Sequence, residues 1–142
     1  MLMKPIALLS AGAAVVVAAV IAVPALAVGT AHTLHLTATR LQFVNTSATT
    51  FVETDAVFRA GKKAGYETIS CDDGGHQIVC SMSVALEDGM LVGHVTIPIT
   101  SGNTSKVAGK VTGGLGRFKG DKGTIKGTIT GKHSTMTLTY RS

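Results

Sequence analysis

The stretch VAGKVTGGLGRFKGDKGTIKGTITG, residues 107–131, decides the fold of this chain. It is dense in glycine, contains no long apolar run, and alternates small with β-branched side chains. Glycine permits tight corners, and alternation with a period of two is typical of strands. The stretch therefore predicts a strand, a glycine corner and a second strand, which we expect to form the closing half of a small β-barrel.

The end of this stretch predicts a hairpin that continues to the end of the chain. Gly131-Lys132 fits a type II′ turn, with glycine at the first central position. Small residues opposite large ones are expected in the interior of a narrow barrel, and this register places Gly127 opposite Met136. The inner face would then carry Ile125, Ile129, Met136, Leu138 and Tyr140, and the threonines between them would face outward.

Upstream, Asp88-Gly89 predicts a second hairpin, because this dipeptide suits a type I′ turn in which both central residues have positive φ. The expected register pairs Met82 with Val95, Cys80 with Ile97, and Ile78 with Ile99, all on one face. His94, Thr96 and Pro98 would then face outward.

The turn after the second strand (residues 50–60) is expected at residues 61–65, and the residues leave two registers open. A five-residue turn faces Asp55 toward Cys71 and the interior. A four-residue turn pairs Phe58 with Ile69 and exposes Asp55 to water. A bulge near Phe58 would allow both Asp55 and Phe58 to face the interior. We expect Asp55 to point inward.

Adding the segments predicts about eight strands, and hence an all-β fold: a small antiparallel eight-stranded barrel, with an open sandwich as second choice. Residues 1–27 have the features of a secretory signal peptide, with Lys4, an apolar run and small residues before position 28. The alternative is a membrane anchor formed by residues 6–23. We therefore expect a secreted protein with one domain, residues 28–142.

Two cysteines, Cys71 and Cys80, are expected to form a disulfide in an exported chain. No cluster of residues has metal-ligand spacing, so no metal or other cofactor is predicted. The formal net charge is +5, and seven basic residues fall within 106–132, a face that can attract an anionic surface. Aromatic residues do not alternate with these charges, which argues against nucleic acid as the partner.

The segment from Val111 to Phe118, followed by Gly120 and Gly123, resembles the glycine signature shared by allene oxide cyclases and dirigent proteins. Leu115 stands where those families usually have Thr or Ser. A second similar segment runs from Asp55 to Cys71, and together the two cover most of residues 52–140. The resemblance implies a barrel whose cavity binds a small apolar molecule, with Phe118 closing one end.

The resemblance also implies candidate site residues. Asp55 falls where the cyclases have a cavity asparagine and is the candidate catalytic residue. Glu67 and Tyr140 are candidate substrate-binding residues because of their own positions. Glu67 shares a face with Ile69 and Cys71, with a strand-end residue at the barrel mouth as the alternative, and Tyr140 is expected as a core aromatic whose hydroxyl reaches the rim. Cys71 falls at a cavity cysteine, but the expected disulfide would remove its thiol. Residues 35–41 lack the acid that the cyclases carry on the first strand, which argues against allene oxide cyclisation itself.

Two functions follow from these features. One is a cofactor-independent cyclase or dirigent-type protein that guides a small apolar molecule. The other is a non-catalytic extracellular or envelope binding protein of the same fold, which the low aromatic content of 4% favours. The outer faces are rich in Thr and Lys, so we expect a monomer or a weak oligomer.

Overall fold

The computed structural model describes residues 29–142, so the expected signal peptide lies outside the described residues. The described part consists of eight strands joined by turns and short loops. Their bounds are β1 Ala31–Asn45, β2 Thr50–Arg59, β3 Lys62–Asp73, β4 Gln77–Leu86, β5 Gly89–Pro98, β6 Thr104–Gly116, β7 Lys122–Thr130 and β8 His133–Arg141.

The eight strands form one closed antiparallel barrel in sequence order, and β1 pairs with β8 to complete the ring. The predicted fold class is confirmed, and closure excludes the open sandwich. Within residues 29–142, no helix has the length and apolar character needed to cross a bilayer.

Alternating side chains fill the barrel interior. On β1 the inward residues Leu34, Leu36 and Ala38 are buried. A register shift between Arg40 and Gln42 marks a bulge after Arg40, beyond which Phe43 rather than Gln42 lines the interior. The bulge therefore carries an aromatic side chain to one end of the barrel.

The β7–β8 hairpin has the predicted register. Ile125 pairs with Leu138 and Gly127 with Met136, and Gly131 has a φ of 60° at the turn. A methyl group at Gly127 would lie 2.1 Å from the Thr135 carbonyl oxygen, so only glycine allows this close approach.

The β4–β5 hairpin corrects the predicted register by two residues. The turn is Glu87-Asp88 rather than Asp88-Gly89, and Cys80 pairs with Val95 instead of Ile97. A shift of two keeps every side chain on its own face, so Met82 and Val95 are still buried and His94 is still exposed. Ile99 is the exception, since it lies beyond the strand and is 49% exposed.

A tertiary contact explains this shift. A side chain at Gly89 would meet the Leu115 carbonyl oxygen at 2.5 Å and the Phe118 ring at 3.0 Å. The glycine therefore serves the close approach of β5 to the end of β6, and the turn itself does not require it. Arg117 reinforces the contact, donating from its backbone N–H and from Nη1 to oxygens of Asp88.

The β2–β3 turn corrects both predicted registers. It has two residues, Ala60 and Gly61, with φ values of 49° and 77°, and β3 begins at Lys62. Asp55 pairs with Glu67, and the register shifts between Val57 and Phe58, where a bulge was expected. Val57 rather than Phe58 enters the core at this point.

Phe118 closes one end of the barrel. It lies in the glycine corner, residues 113–121 at the end of β6 and in the turn that follows, and it is buried. Its ring packs edge-on against Tyr140 with centroids 5.7 Å apart. A side chain at Gly114 would collide with the Phe118 carbonyl oxygen at 2.5 Å, so the corner needs glycine there. The opposite end, which carries the loops at residues 46–49, 74–76, 99–103 and 131–132, is called the open end below.

Cys71 and Cys80 face each other on β3 and β4 and form the predicted disulfide. Both sulfur-bearing residues are buried on the inner side of the barrel. A disulfide is typical of proteins that fold in an oxidising environment, which agrees with an extracellular location.

Candidate functional site

Two cavities occupy the open half of the barrel. The inner cavity has a volume of about 30 Å³, and the outer one, which we call the mouth, about 180 Å³. Both have mostly apolar walls, and they share four lining residues: Glu53, Ile69, Ile97 and Ile129. The two spaces are therefore successive parts of one recess that ends inside the barrel.

Three acidic side chains from β2 and β3 line the inner cavity. Glu53 and Asp55 are two residues apart on β2, so they project to the same face. Glu67 is the cross-strand partner of Asp55 on β3. The two-residue turn at Ala60 and Gly61 and the register shift between Val57 and Phe58 together set this pairing.

The carboxyl groups of Asp55 and Glu67 are withdrawn from water. Asp55 is 3% exposed and Glu67 is 1% exposed. Within residues 29–142, the Asp55 Oδ1 atom and both oxygens of Glu67 have no hydrogen-bond partner. Buried oxygens without partners are uncommon and costly in folded proteins, so their presence beside a cavity indicates a site rather than a packing device.

Burial raises the pKa of Asp55 to about 7, and repulsion by Glu53 and a hydrogen bond with that residue add to the effect, while Arg40 lowers it. Burial also raises the pKa of Glu67 to about 8, with added repulsion from Asp55 and Glu53. Both groups therefore titrate close to neutral pH, in the range where a carboxyl group can exchange protons with a bound molecule.

Glu53 differs from the other two acids because it has a cationic partner. Arg40 Nη2 lies 2.7 Å from Glu53 Oε2, and the Arg40 guanidinium also lies over the Phe43 ring, 5.3 Å from its centroid. This ion pair lines the mouth together with the stacked rings of Phe43 and Phe51. Arg40 thus forms an ion pair with one carboxylate, and within residues 29–142 neither of the two deeper acids has an ion-pair partner.

The structure brings Asp55 and Glu67 together but separates Tyr140 from them. Tyr140 is buried at the closed end, stacked on His32 and edge-on to Phe118, and lines neither cavity. Cys71 does line the mouth, but its sulfur is bonded to Cys80 and offers no thiol.

Sequence reasoning missed two buried acids. Glu53 could have been found, because its spacing of two from Asp55 puts both on one face of β2. Asp121, which is buried in the glycine corner with an unpartnered Oδ1, lies at the opposite end from the cavities. Nothing in the sequence pattern distinguishes it from a solvated turn residue.

Within residues 29–142, no group of three or more His, Cys, Asp or Glu residues has the arrangement needed to hold a metal ion. The carboxyl groups of the cluster can exchange protons or hydrogen bonds with a bound molecule.

No family model and no curated protein matches the sequence. Among solved structures, a pyocyanin demethylase has a similar fold, with a TM-score of 0.62 over 77% of this chain and 99% of the demethylase chain. The two sequences are 18% identical over this match. The similarity extends over most of the chain and supports the barrel fold.

Proposed function

We propose that this chain is a secreted barrel protein, related to allene oxide cyclases and dirigent proteins, that binds a small apolar molecule through its open end. The observation that carries the proposal is the recess that begins at the mouth and ends at three carboxyl oxygens without a hydrogen-bond partner in residues 29–142, one of Asp55 and two of Glu67. Apolar walls with a few convergent polar groups are typical of ligand sites.

The volumes limit the size of the ligand. The mouth, at about 180 Å³, is similar to a cavity of about 150 Å³ that accepts benzene. The inner cavity has room for a single small polar group. A ligand with one ring or a chain of about six carbons fits, and larger ones would extend out of the barrel.

Calorimetric titration with small compounds such as toluene, indole and hexan-1-ol tests this proposal. Pyocyanin, after which the structurally similar demethylase is named, belongs in the same panel. We expect binding that is lost in Ile78→Trp, because Ile78 lines the mouth and an indole there would fill it. The neighbouring Val79→Trp is the matched control, since Val79 is exposed on the outer face. Absence of binding by every compound would refute the proposal.

Cofactor-independent catalysis is the second candidate function, and the raised pKa of Asp55, about 7, favours it. A general acid or base works best when its pKa lies near the working pH. Each bound compound should be incubated with the protein and its products identified by mass spectrometry. Conversion that is lost in Asp55→Asn, with binding retained, would support catalysis. Unchanged compounds would leave the protein in the non-catalytic binding class.

A further inference from the structure

We propose that the ligand carries a protonated amine, which lies between Asp55 and Glu67 while an apolar tail fills the mouth. This inference rests on the proposed function and specifies the class of ligand. The ligand would be a small organic cation with a primary ammonium head and a ring or short chain behind it.

The number of unpartnered atoms supports an ammonium head. Three carboxyl oxygens at the cavity lack partners: Oδ1 of Asp55 and both oxygens of Glu67. A primary ammonium has three N–H donors, whereas an alcohol has one and would leave two buried oxygens without a donor. Hydrogen bonds between ions are also stronger than those between neutral groups.

The charges at the site support the same conclusion. Arg40 forms an ion pair with Glu53, which neutralises the acid nearest the mouth. The charged groups that act on Glu67 are Asp55 and Glu53, and both are acidic. The remaining basic groups of the lining, Lys132 and His133, are exposed at the β7–β8 turn. An anion would be repelled here, and a cation supplies the missing partner.

The dimensions separate the head from the tail of the ligand. At about 30 Å³ the inner cavity can take an ammonium group, which is similar in size to a water molecule. Of the four residues that line both cavities, Ile69, Ile97 and Ile129 offer no hydrogen bonds to a polar tail, and the fourth, Glu53, is already paired with Arg40. The stacked rings of Phe43 and Phe51 at the mouth suit an apolar end.

Amine binding should depend on pH in a definite direction. Below neutral pH the carboxyl groups of Asp55 and Glu67 hold protons and attract a cation weakly. Above pH 8 both are ionised, while a simple amine with a pKa of about 10 is still protonated. Affinity should therefore rise between pH 5.5 and pH 8.5, with Glu53, Arg40, Lys132 and His133 as the other charged or titratable groups facing the site.

The test compares hexylamine with hexan-1-ol by calorimetric titration of the purified protein at both pH values. We expect hexylamine to bind at least about tenfold more tightly at pH 8.5, a difference of about 1.4 kcal/mol. Near pH 7 its binding should release protons, detected as a heat that depends on the buffer. Asp55→Asn/Glu67→Gln should abolish the preference, and Glu87→Gln, at an exposed turn, should keep it.

Three outcomes would overturn the inference. If hexylamine and hexan-1-ol bind with equal affinity and Ile78→Trp blocks both, the protein does not select amines. The proposed function, binding of a small molecule in the barrel, would still stand. The same holds if toluene binds and hexylamine does not. If hexylamine still binds to Asp55→Asn/Glu67→Gln, it binds to carboxylates on the surface and not at the inner cavity. If no compound of the panel binds, the proposed function itself fails.

Discussion

Asp55 and Glu67 are the two residues whose chemistry departs most from that of their free side chains. Folding places both carboxyl groups in an apolar interior, which raises the pKa of Asp55 to about 7 and that of Glu67 to about 8. In the unfolded chain the same groups lose their protons near pH 4. Between these limits the folded protein binds protons that the unfolded chain does not.

Stability should therefore fall as pH rises from about 4 to about 8, because folding takes up protons throughout this window. Between its pKa in the unfolded chain and its pKa in the folded protein, each of the two groups lowers the free energy of unfolding by about 1.4 kcal/mol per pH unit. Urea unfolding at pH 4.5, 6, 7.5 and 8.5 measures it. We expect Asp55→Asn/Glu67→Gln to flatten the curve and to be more stable than the parent at pH 8.5. Glu87→Gln serves as the control, and a parent curve that rises over this window would contradict the expectation.

The sequence could predict part of this site and not the rest. Alternation along β2 gives the face that Asp55 shares with Glu53, but not whether that face points inward. The answer depends on the turn at Ala60 and Gly61 and on the bulge between Val57 and Phe58, which together decide which residue of β3 lies opposite Asp55. The ion pair of Arg40 with Glu53 depends further on the β1 bulge, which has no local sequence signal.

Among the elements, the glycine corner at the end of β6 has a steric requirement that two adjacent glycines can test. A methyl group at Gly114 would lie 2.5 Å from the Phe118 carbonyl oxygen and 2.6 Å from that of Met90. One at Gly113 would meet only the Val92 side chain, at 3.7 Å. The two adjacent glycines therefore form a matched pair for substitution.

Gly114→Ala should destabilise the protein by about 1–3 kcal/mol, the usual range for forcing atoms into a packed site. Gly113→Ala should be neutral or slightly stabilising, because alanine costs less conformational entropy than glycine in a strand. Chemical denaturation of both variants measures the difference. If the two variants lose similar amounts of stability, the backbone of the corner relaxes around the added methyl group. Phe118 would then not be held by close packing.

The β2–β3 turn offers a gain in stability. Ala60 has a φ of 49°, a left-handed conformation that alanine adopts at a cost of about 1 kcal/mol. Asparagine is preferred at the first central position of a type I′ turn. Ala60→Asn should raise the free energy of unfolding by up to about 1 kcal/mol, measured by thermal and urea unfolding. Ala108→Asn, on the exposed side of β6, should give no gain, and equal gains would reject the turn as the cause.

Turn chemistry shows what the sequence could predict about the elements. Gly131-Lys132 was assigned correctly because the glycine there serves only its own turn. At Asp88-Gly89 the prediction was wrong by two residues, because Gly89 makes room for the end of β6 and for Phe118. Local rules cannot separate a glycine needed for a turn from one needed for a distant contact.

For the whole molecule, the order of eight strands and the burial of their apolar faces could be predicted from alternation and turn signals. Ring closure between β1 and β8 brings together segments about a hundred residues apart, and only the summed geometry of all strands produces it. The cavity volumes also lay beyond prediction, since they depend on side chains from almost every strand.

The outer surface leads to a prediction for the whole protein. Lys106 and Lys110 on β6 lie beside Lys126 on β7, and all three are exposed. We propose that this face adsorbs to anionic surfaces. Replacing all three with Gln should sharply lower retention on carboxymethyl beads at low salt, because charges arranged on one face act together.

A second triple variant separates the arrangement of charge from the net charge. It replaces Arg59, Lys62 and Lys63 at the closed end with Gln and removes the same number of charges. Its retention should decrease less, and salt should weaken binding of the parent protein. Equal decreases in the two triple variants would show that net charge alone governs adsorption.

The plug formed by Phe118 and Tyr140 has a kinetic consequence. Because one end of the barrel is blocked, a ligand must enter and leave through the open end. A bound ligand therefore has to dissociate before the next one can bind. Were the barrel catalytic, its product would compete directly with incoming substrate, and slow clearance would limit turnover. In a non-catalytic binding protein the same closed end would slow the release of the ligand, since it could dissociate through one opening only.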